Sequence, residues 1–250
     1  MNGHTEDAFL GGKLRLRQPL KGHRAGHDAM LLAAATAAAA GERVVELGSG
    51  VGAAGLAVAS RVAIDLTLVE IDESLAALSR ENALLNGIAC RAVVLDVAAK
   101  ADAFVDAGLA PDSADHVLMN PPFNDSGRHQ PSPDKDRRAA HEAQSSTLET
   151  WVHAARRLLK PGGTLTLIWR AEALTDILAA LGRGFGGIAV LPVHPKSAGP
   201  AIRVLVRAEK GSAAPLMLRP GLVLNSESGQ PAPQAEKVLR GEETLRFGRD

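Results

Sequence analysis

Short runs rich in valine and leucine alternate with longer alanine- and leucine-rich stretches through most of the chain, and that alternation limits the available folds more than any other feature. Val44-Val45-Glu46-Leu47 reads as a strand that stops at a glycine cluster, and residues 53–61 read as the following helix. Residues 65–71 are the next strand candidate, and a helix over 74–86 is halted by Gly87 as a C-cap. Further strands fall at 91–95, 114–119 and 164–169, with helices near 98–108 and 145–159 and a Pro161-Gly162-Gly163 turn. Residues 188–193 and 202–206 are late strands with no full helix between them, so an antiparallel finish is expected. Strand–helix alternation at this spacing predicts an α/β fold with a parallel, doubly wound sheet covered on both faces.

The 250 residues are 46% hydrophobic, enough for one sizeable core. Lys and Arg total 28, balanced by 28 Asp and Glu, so any nucleic-acid contact must come from a local basic strip. Cys90 is the single cysteine, which excludes a disulfide framework and a cysteine-rich zinc site and fits a reducing compartment. The polar segment Met1 to Phe9 lacks the order of a secretory signal, and the most apolar stretch, 29–40, is too short to span a membrane. A cytoplasmic protein without a membrane partner is expected. The organisation expected is a basic extension (1–25), a main domain (26–210), and a C-terminal extension (211–250) packed on it.

In an open α/β sheet, ligands bind beyond the carboxyl ends of the strands, where strand order reverses. Glu46-Leu47-Gly48-Ser49-Gly50-Val51-Gly52 lies at such an end, and glycines there let a ligand reach the backbone amides of the next helix. Glu70 follows about 20 residues on, placed to accept ribose hydroxyls. The motif alone leaves three readings open: an adenosylmethionine site, a dinucleotide site (Gly50, Gly52 and Gly55 fit that fingerprint), or a turn without a ligand. Glu46 favours the first, since an acid suits a ligand with a free amino group and repels a pyrophosphate. Asp96-Val97, after the third strand, can hold an adenine amino group, or Asp96 can cap a helix from Ala98.

Asn120-Pro121-Pro122-Phe123 follows the strand candidate 117–119 on the same edge. The lone pair of an exocyclic amine is delocalised, which makes it a poor nucleophile. The Asn120 side-chain oxygen and the Pro121 carbonyl can each accept one of its N–H groups, turning the lone pair towards an electrophilic methyl. Prolines stiffen the backbone, and Phe123 offers a face for a flat group. The alternative is a proline turn with Phe123 in the core.

With these residues in place the chain resembles the class I methyltransferases that act on amines, and within them the bacterial valine-tRNA adenine N6-methyltransferase family and related predicted methyltransferases. The likeness is carried by residues 12–19, Gly22-His23-Arg24, residues 28–33, Glu46 to Gly52, Asn120 to Phe123, residues 158–163, Arg203-Val204-Leu205-Val206, and Leu222-Val223-Leu224. It implies a seven-stranded Rossmann-like sheet with an antiparallel last strand and S-adenosyl-L-methionine as cofactor. By the family pattern, Gly48, Gly50 and Gly52 approach the methionine portion, Glu70 with Ile71 beside it the ribose, and Asp96 and Val97 the adenine. Glu46 and Asp28 complete the cofactor set, and Asn120 spans cofactor and target. His27 stands where a small hydroxyl residue is usual ahead of Asp28, and Phe123 where tyrosine is frequent.

Lys13, Arg15, Arg17, Lys21 and Arg24 form a basic strip with no acid among them, suited to RNA phosphates or to guarding an edge strand. Residues 124–142 look like a lid over the site. The spacing of His23 and His27 suits zinc only on a helix, and Arg24 replaces the glutamate a zinc protease needs, so no metal is expected. The favoured reading is methylation of adenine N6 in tRNA. Alternatives are a protein glutamine amide, an rRNA or DNA base, an oxygen-directed small-molecule methyltransferase, and an NAD-dependent oxidoreductase. Monomer and homodimer stay open.

Overall fold

The computed structural model describes residues 3–22, 24–122, 134–182 and 184–247, with the side chains of 134–144 set aside. A hairpin of β1 (His4–Phe9) and β2 (Leu14–Pro19) precedes α1 (His27–Ala35). Then come β3 (Arg43–Leu47), α2 (Ala53–Ala59), β4 (Asp65–Glu70), α3 (Glu73–Leu85), β5 (Cys90–Val94), α4 (Ala101–Asp106) and β6 (Ala114–Met119). Next are α5 (Asp134–Leu158), β7 (Leu159–Arg170), α6 (Leu174–Leu181), β8 (Phe185–His194) and β9 (Arg203–Lys210). The two-residue strands β10 (Met217–Leu218) and β11 (Leu222–Val223) and the helix α7 (Pro233–Leu239) follow.

Seven long strands lie in the order β5-β4-β3-β6-β7-β9-β8, with β10 and β11 added in parallel along β8. β3 to β7 are mutually parallel, and β9 runs antiparallel to both neighbours. The expected doubly wound α/β class and antiparallel finish are therefore present, with two short strands beyond the seven. The chain winds outward from β3 to β5 and then returns to place β6 on the other side of β3. The switch in strand order falls between β3 and β6, where such sheets bind ligands.

Both sheet faces are covered, which is why the central strands read as continuous apolar runs. One core cluster joins α1, α2 and α7 to residues such as Leu66, Leu68 and Leu205; the other joins α5 and α6 to Val69, Val117 and Leu167. The predicted turn at 161–163 is instead a bulge inside β7, whose register against β6 shifts there. Of the expected lid 124–142, residues 134–142 belong to α5 and the rest lie outside the described residues. Asp134 and Asp136 suit the positive end of a helix, and the arginines and alanines after them are good helix formers.

The hairpin is docked by α3. Leu14 and Leu16 bury one face of β2, each worth about 1.5–3 kcal/mol. Along its edge, Asn82 Oδ1 accepts the Arg17 N–H (2.7 Å) and its Nδ2 donates to the Arg17 carbonyl (3.0 Å). Asn86 does the same for Arg15 at 2.9 and 2.7 Å. Four residues of helix rise about 6 Å and two of strand about 6.6 Å, so two asparagines one turn apart imitate a neighbouring strand.

Candidate active site

Leu47 pairs with Met119 in the β3–β6 register, so Gly48 and Asn120 leave the sheet side by side. The glycine turn is closed by Gly52 N–H to the Ser49 carbonyl (2.8 Å) and tied to β4 by Ser49 N–H to the Val69 carbonyl (2.9 Å). Gly48 has φ +65, and a Cβ there would lie 2.2 Å from the Trp151 ring, so α5 packs directly on the turn. Gly55, in the first turn of α2, is required for another reason: a Cβ would come within 2.7 Å of Glu46 Oε2.

A cavity of about 230 Å³ opens at this switch point. Gly48, Ser49, Gly50 and Val51 line it together with Asn120 and the start of α1. Two buried polar atoms on its wall, Ser49 Oγ and Asn120 Oδ1, have no hydrogen-bond partner among the described residues. Glu46 is buried on another wall, where Oε2 accepts the Gly55 N–H at 2.7 Å. Burial pushes its carboxyl up to about 8; the N–H groups of Gly55 and Ala54 pull the other way, and the Glu70 charge adds to the rise. Asp28, in the first turn of α1, accepts from Arg203 Nε at 2.9 Å, and both line the cavity.

The structure thus brings Asp28, Glu46, Gly48, Gly50 and Asn120 to one cavity, while Gly52 starts α2 just behind it. Glu70 lies beneath the turn, its two oxygens accepting the N–H groups of Gly50 (2.7 Å) and Asp72 (3.0 Å). Ile71, next along, is 63% exposed and offers a bare apolar side at the carboxyl edge of β4. Asp96 Oδ1 accepts the Ala98 N–H (2.8 Å) in a turn ahead of α4, which starts only at Ala101, and Val97 is buried in the core. Glu70, Ile71, Asp96 and Val97 share the edge but do not line the cavity. Pro121 is buried and Pro122 exposed; Phe123 and His23 lie outside the described residues.

Arg24 and Arg203 also line the cavity, although in the sequence Arg24 reads as part of the basic strip and Arg203 as the start of the stretch 203–206. The strip itself is mostly paired. Arg15 and Arg17 meet Glu6, Arg17 also meets Glu81 at 3.3 Å, and Arg24 bonds Asp7 and Thr5. Lys13 precedes β2 and donates to the Gly241 carbonyl. Among the described residues there is no cluster able to hold a metal ion, and no helix is long and apolar enough to cross a membrane.

Strand order, glycine turn and a cavity at the switch define a Rossmann-like α/β protein with its ligand edge at β3 and β6. The chain belongs to the methyltransferase small domain family, whose profile matches residues 25–194. It is 31% identical over 161 residues to the tRNA1(Val) (adenine(37)-N6)-methyltransferase of Porphyromonas gingivalis, covering 62% of this chain and 61% of that one. The enzyme of the same name from Erwinia tasmaniensis is 29% identical over 186 residues, 73% of this chain and 74% of that one. The chain spans about three fifths of the length of the first curated relatives. Among solved structures, a predicted O-methyltransferase from Agrobacterium tumefaciens superposes with a TM-score of 0.73 at 32% identity, over 87% of this chain and 98% of that one.

Proposed function

We propose that the chain is an S-adenosyl-L-methionine-dependent N-methyltransferase acting on adenine N6 of a tRNA. The observation that carries this reading is Asn120 Oδ1, buried without a hydrogen-bond partner among the described residues, on a residue that lines the same cavity as the glycine turn. A buried acceptor left unpaired costs about 1–3 kcal/mol, a cost removed when a substrate N–H fills it. The residues at the cavity fit the amino-acid end of the cofactor, with a glycine turn open above Gly50 and a carboxyl at Glu46 for an ammonium; Glu70 and Ile71 for the ribose and Asp96 for the adenine lie outside the cavity on the same edge.

When bound, adenosylmethionine supplies an electrophilic methyl group. Asn120 Oδ1 and the Pro121 carbonyl accept the two N–H groups of the target amine, draw its lone pair out of the ring and stabilise the charge that develops. Water takes the proton afterwards, so no strong base is required. A hydroxyl has one hydrogen to give and would leave one acceptor idle, which favours an amine over the oxygen target in the name of the Agrobacterium protein. The names of the curated relatives make adenine 37 of tRNA1(Val) the first substrate to try. Contact with RNA does not rest on the hairpin arginines, which are already paired.

The test is incubation with labelled adenosylmethionine and separate pools of total RNA and total protein. Label recovered as N6-methyladenine in tRNA supports the reading; label confined to protein overturns the substrate. Calorimetric preference for NAD over adenosylhomocysteine overturns the cofactor.

A further inference from the structure

Arg203 opens the quoted stretch 203–206, and the amine-activating mechanism makes no use of it. It starts β9, three strands from β3, and lines the cavity together with Glu46. Its Nε donates to Asp28 Oδ2 at 2.9 Å and its Nη1 to the Ile202 carbonyl at 3.0 Å, which fixes the guanidinium at the N-terminal turn of α1. That helix begins at Gly26 with no side-chain cap, so its positive end adds to the guanidinium charge. Ser49 Oγ, on a residue 5% exposed, is a hydroxyl on the same cavity with no partner among the described residues. A planar fork, a helix N-terminus and a hydroxyl are donors that suit a carboxylate. The carboxyl of Glu46, on the same cavity, suits an ammonium.

We propose that Arg203 binds the carboxylate of the cofactor's amino-acid end, with Asp28 as the positioning residue that orients the guanidinium and Glu46 receiving the ammonium. This rests on the adenosylmethionine reading and adds to it a basis for selecting a zwitterionic ligand. A nucleoside lacking the carboxylate forgoes the contact to Arg203, and binds less well for that reason.

The experiment is titration calorimetry of the full chain with adenosylmethionine and with its decarboxylated form, which keeps the ammonium. The wild-type chain is expected to prefer adenosylmethionine. Arg203→Met is expected to weaken adenosylmethionine roughly 10- to 100-fold while changing the decarboxylated ligand by less than about twofold, with Arg203→Lys in between. Equal losses for both ligands would mean that Arg203 only supports the fold, and no loss would mean that it does not touch the ligand; either overturns the proposal. Should Arg203→Met fail to fold, the ligand preference of Arg203→Lys decides, and a wild-type preference retained in full counts against it. A wild-type chain that binds neither ligand refutes the cofactor reading itself, a result distinct from all of these.

Discussion

Leu47 and Met119 are partners in the register of β3 and β6, and the residue after each carries a separate part of the site. Gly48 begins the turn under the cavity, and Asn120 stands beside it with a buried, unpartnered oxygen among the described residues. A strand register error of one residue would turn Asn120 to the other face. The placement of Asn120 relative to the glycine turn is therefore set by two neighbouring strands inside the sheet.

Asn120→Ala removes one of the two acceptors without touching the glycine turn. Turnover is expected to fall by roughly 10²–10³, the usual effect of losing one preorganised polar group at a reacting centre. Adenosylhomocysteine affinity should stay within about threefold. A variant that keeps wild-type turnover would refute the role given to this side chain, and one that loses affinity and turnover together would make it a cofactor ligand.

Gly48→Ala meets two obstacles, a backbone at φ +65 and the Trp151 ring 2.2 Å from the new Cβ. The expected destabilisation is about 2–4 kcal/mol, from left-handed strain together with overpacking. Trp151→Leu in the same chain should recover part of the loss, and the double-mutant cycle in urea measures how much. Strict additivity of the two changes would mean that ring and turn are not in contact. Trp169 is buried in β7, so a change in fluorescence on cofactor binding should vanish in Trp151→Phe.

The sequence shows what is local. Alternation of apolar runs and helical stretches, the glycines after Leu47 and the prolines after Asn120 are all decided within a few residues, and they place the sheet and its ligand edge. Distant pairings are not visible in it. Asp28 and Arg203 are 175 positions apart, and neither carries any mark that they meet. The hairpin arginines look like an uncompensated strip because their acids stand outside it: Glu6 faces them across the hairpin on β1, and Glu81 lies 64 residues on from Arg17. The glycines at 162 and 163 read as a turn, since a bulge needs the same backbone freedom and only the partner strand distinguishes the two.

Asn82 is fully buried and bonds three backbone groups: the N–H and carbonyl of Arg17 and the carbonyl of Val51 on the glycine turn. Asn82→Ala strands all three and is expected to cost about 2–4 kcal/mol, against roughly 1 kcal/mol for the more exposed Asn86→Ala. Since Val51 lines the cavity, Asn82→Ala should also weaken adenosylhomocysteine. Chemical denaturation and limited proteolysis of the hairpin check the first part. Equal costs for the two asparagines would show that the link to Val51 carries no energy.

Glu46 gives the fold a distinctive pH dependence. Its carboxyl is held near 8 in the folded chain against an ordinary value of 4.5, chiefly by burial. Between those values the folded state holds a proton that the unfolded state has released, so stability falls as pH rises, by up to ~1.4 kcal/mol per pH unit. Glu46→Gln keeps an acceptor for the Gly55 N–H and removes the ionisation. The variant should therefore be more stable than the wild type at about pH 8 and show little difference near pH 5, by urea denaturation across that range. An arriving ammonium favours the charged carboxylate, so wild-type cofactor binding should release a proton at neutral pH. That release appears as a dependence of the calorimetric enthalpy on the buffer's ionisation heat, and it should disappear in Glu46→Gln. A flat stability difference between pH 5 and 8, with no proton released, would mean that Glu46 ionises normally and that the cavity lacks the acidic wall assigned to the ammonium.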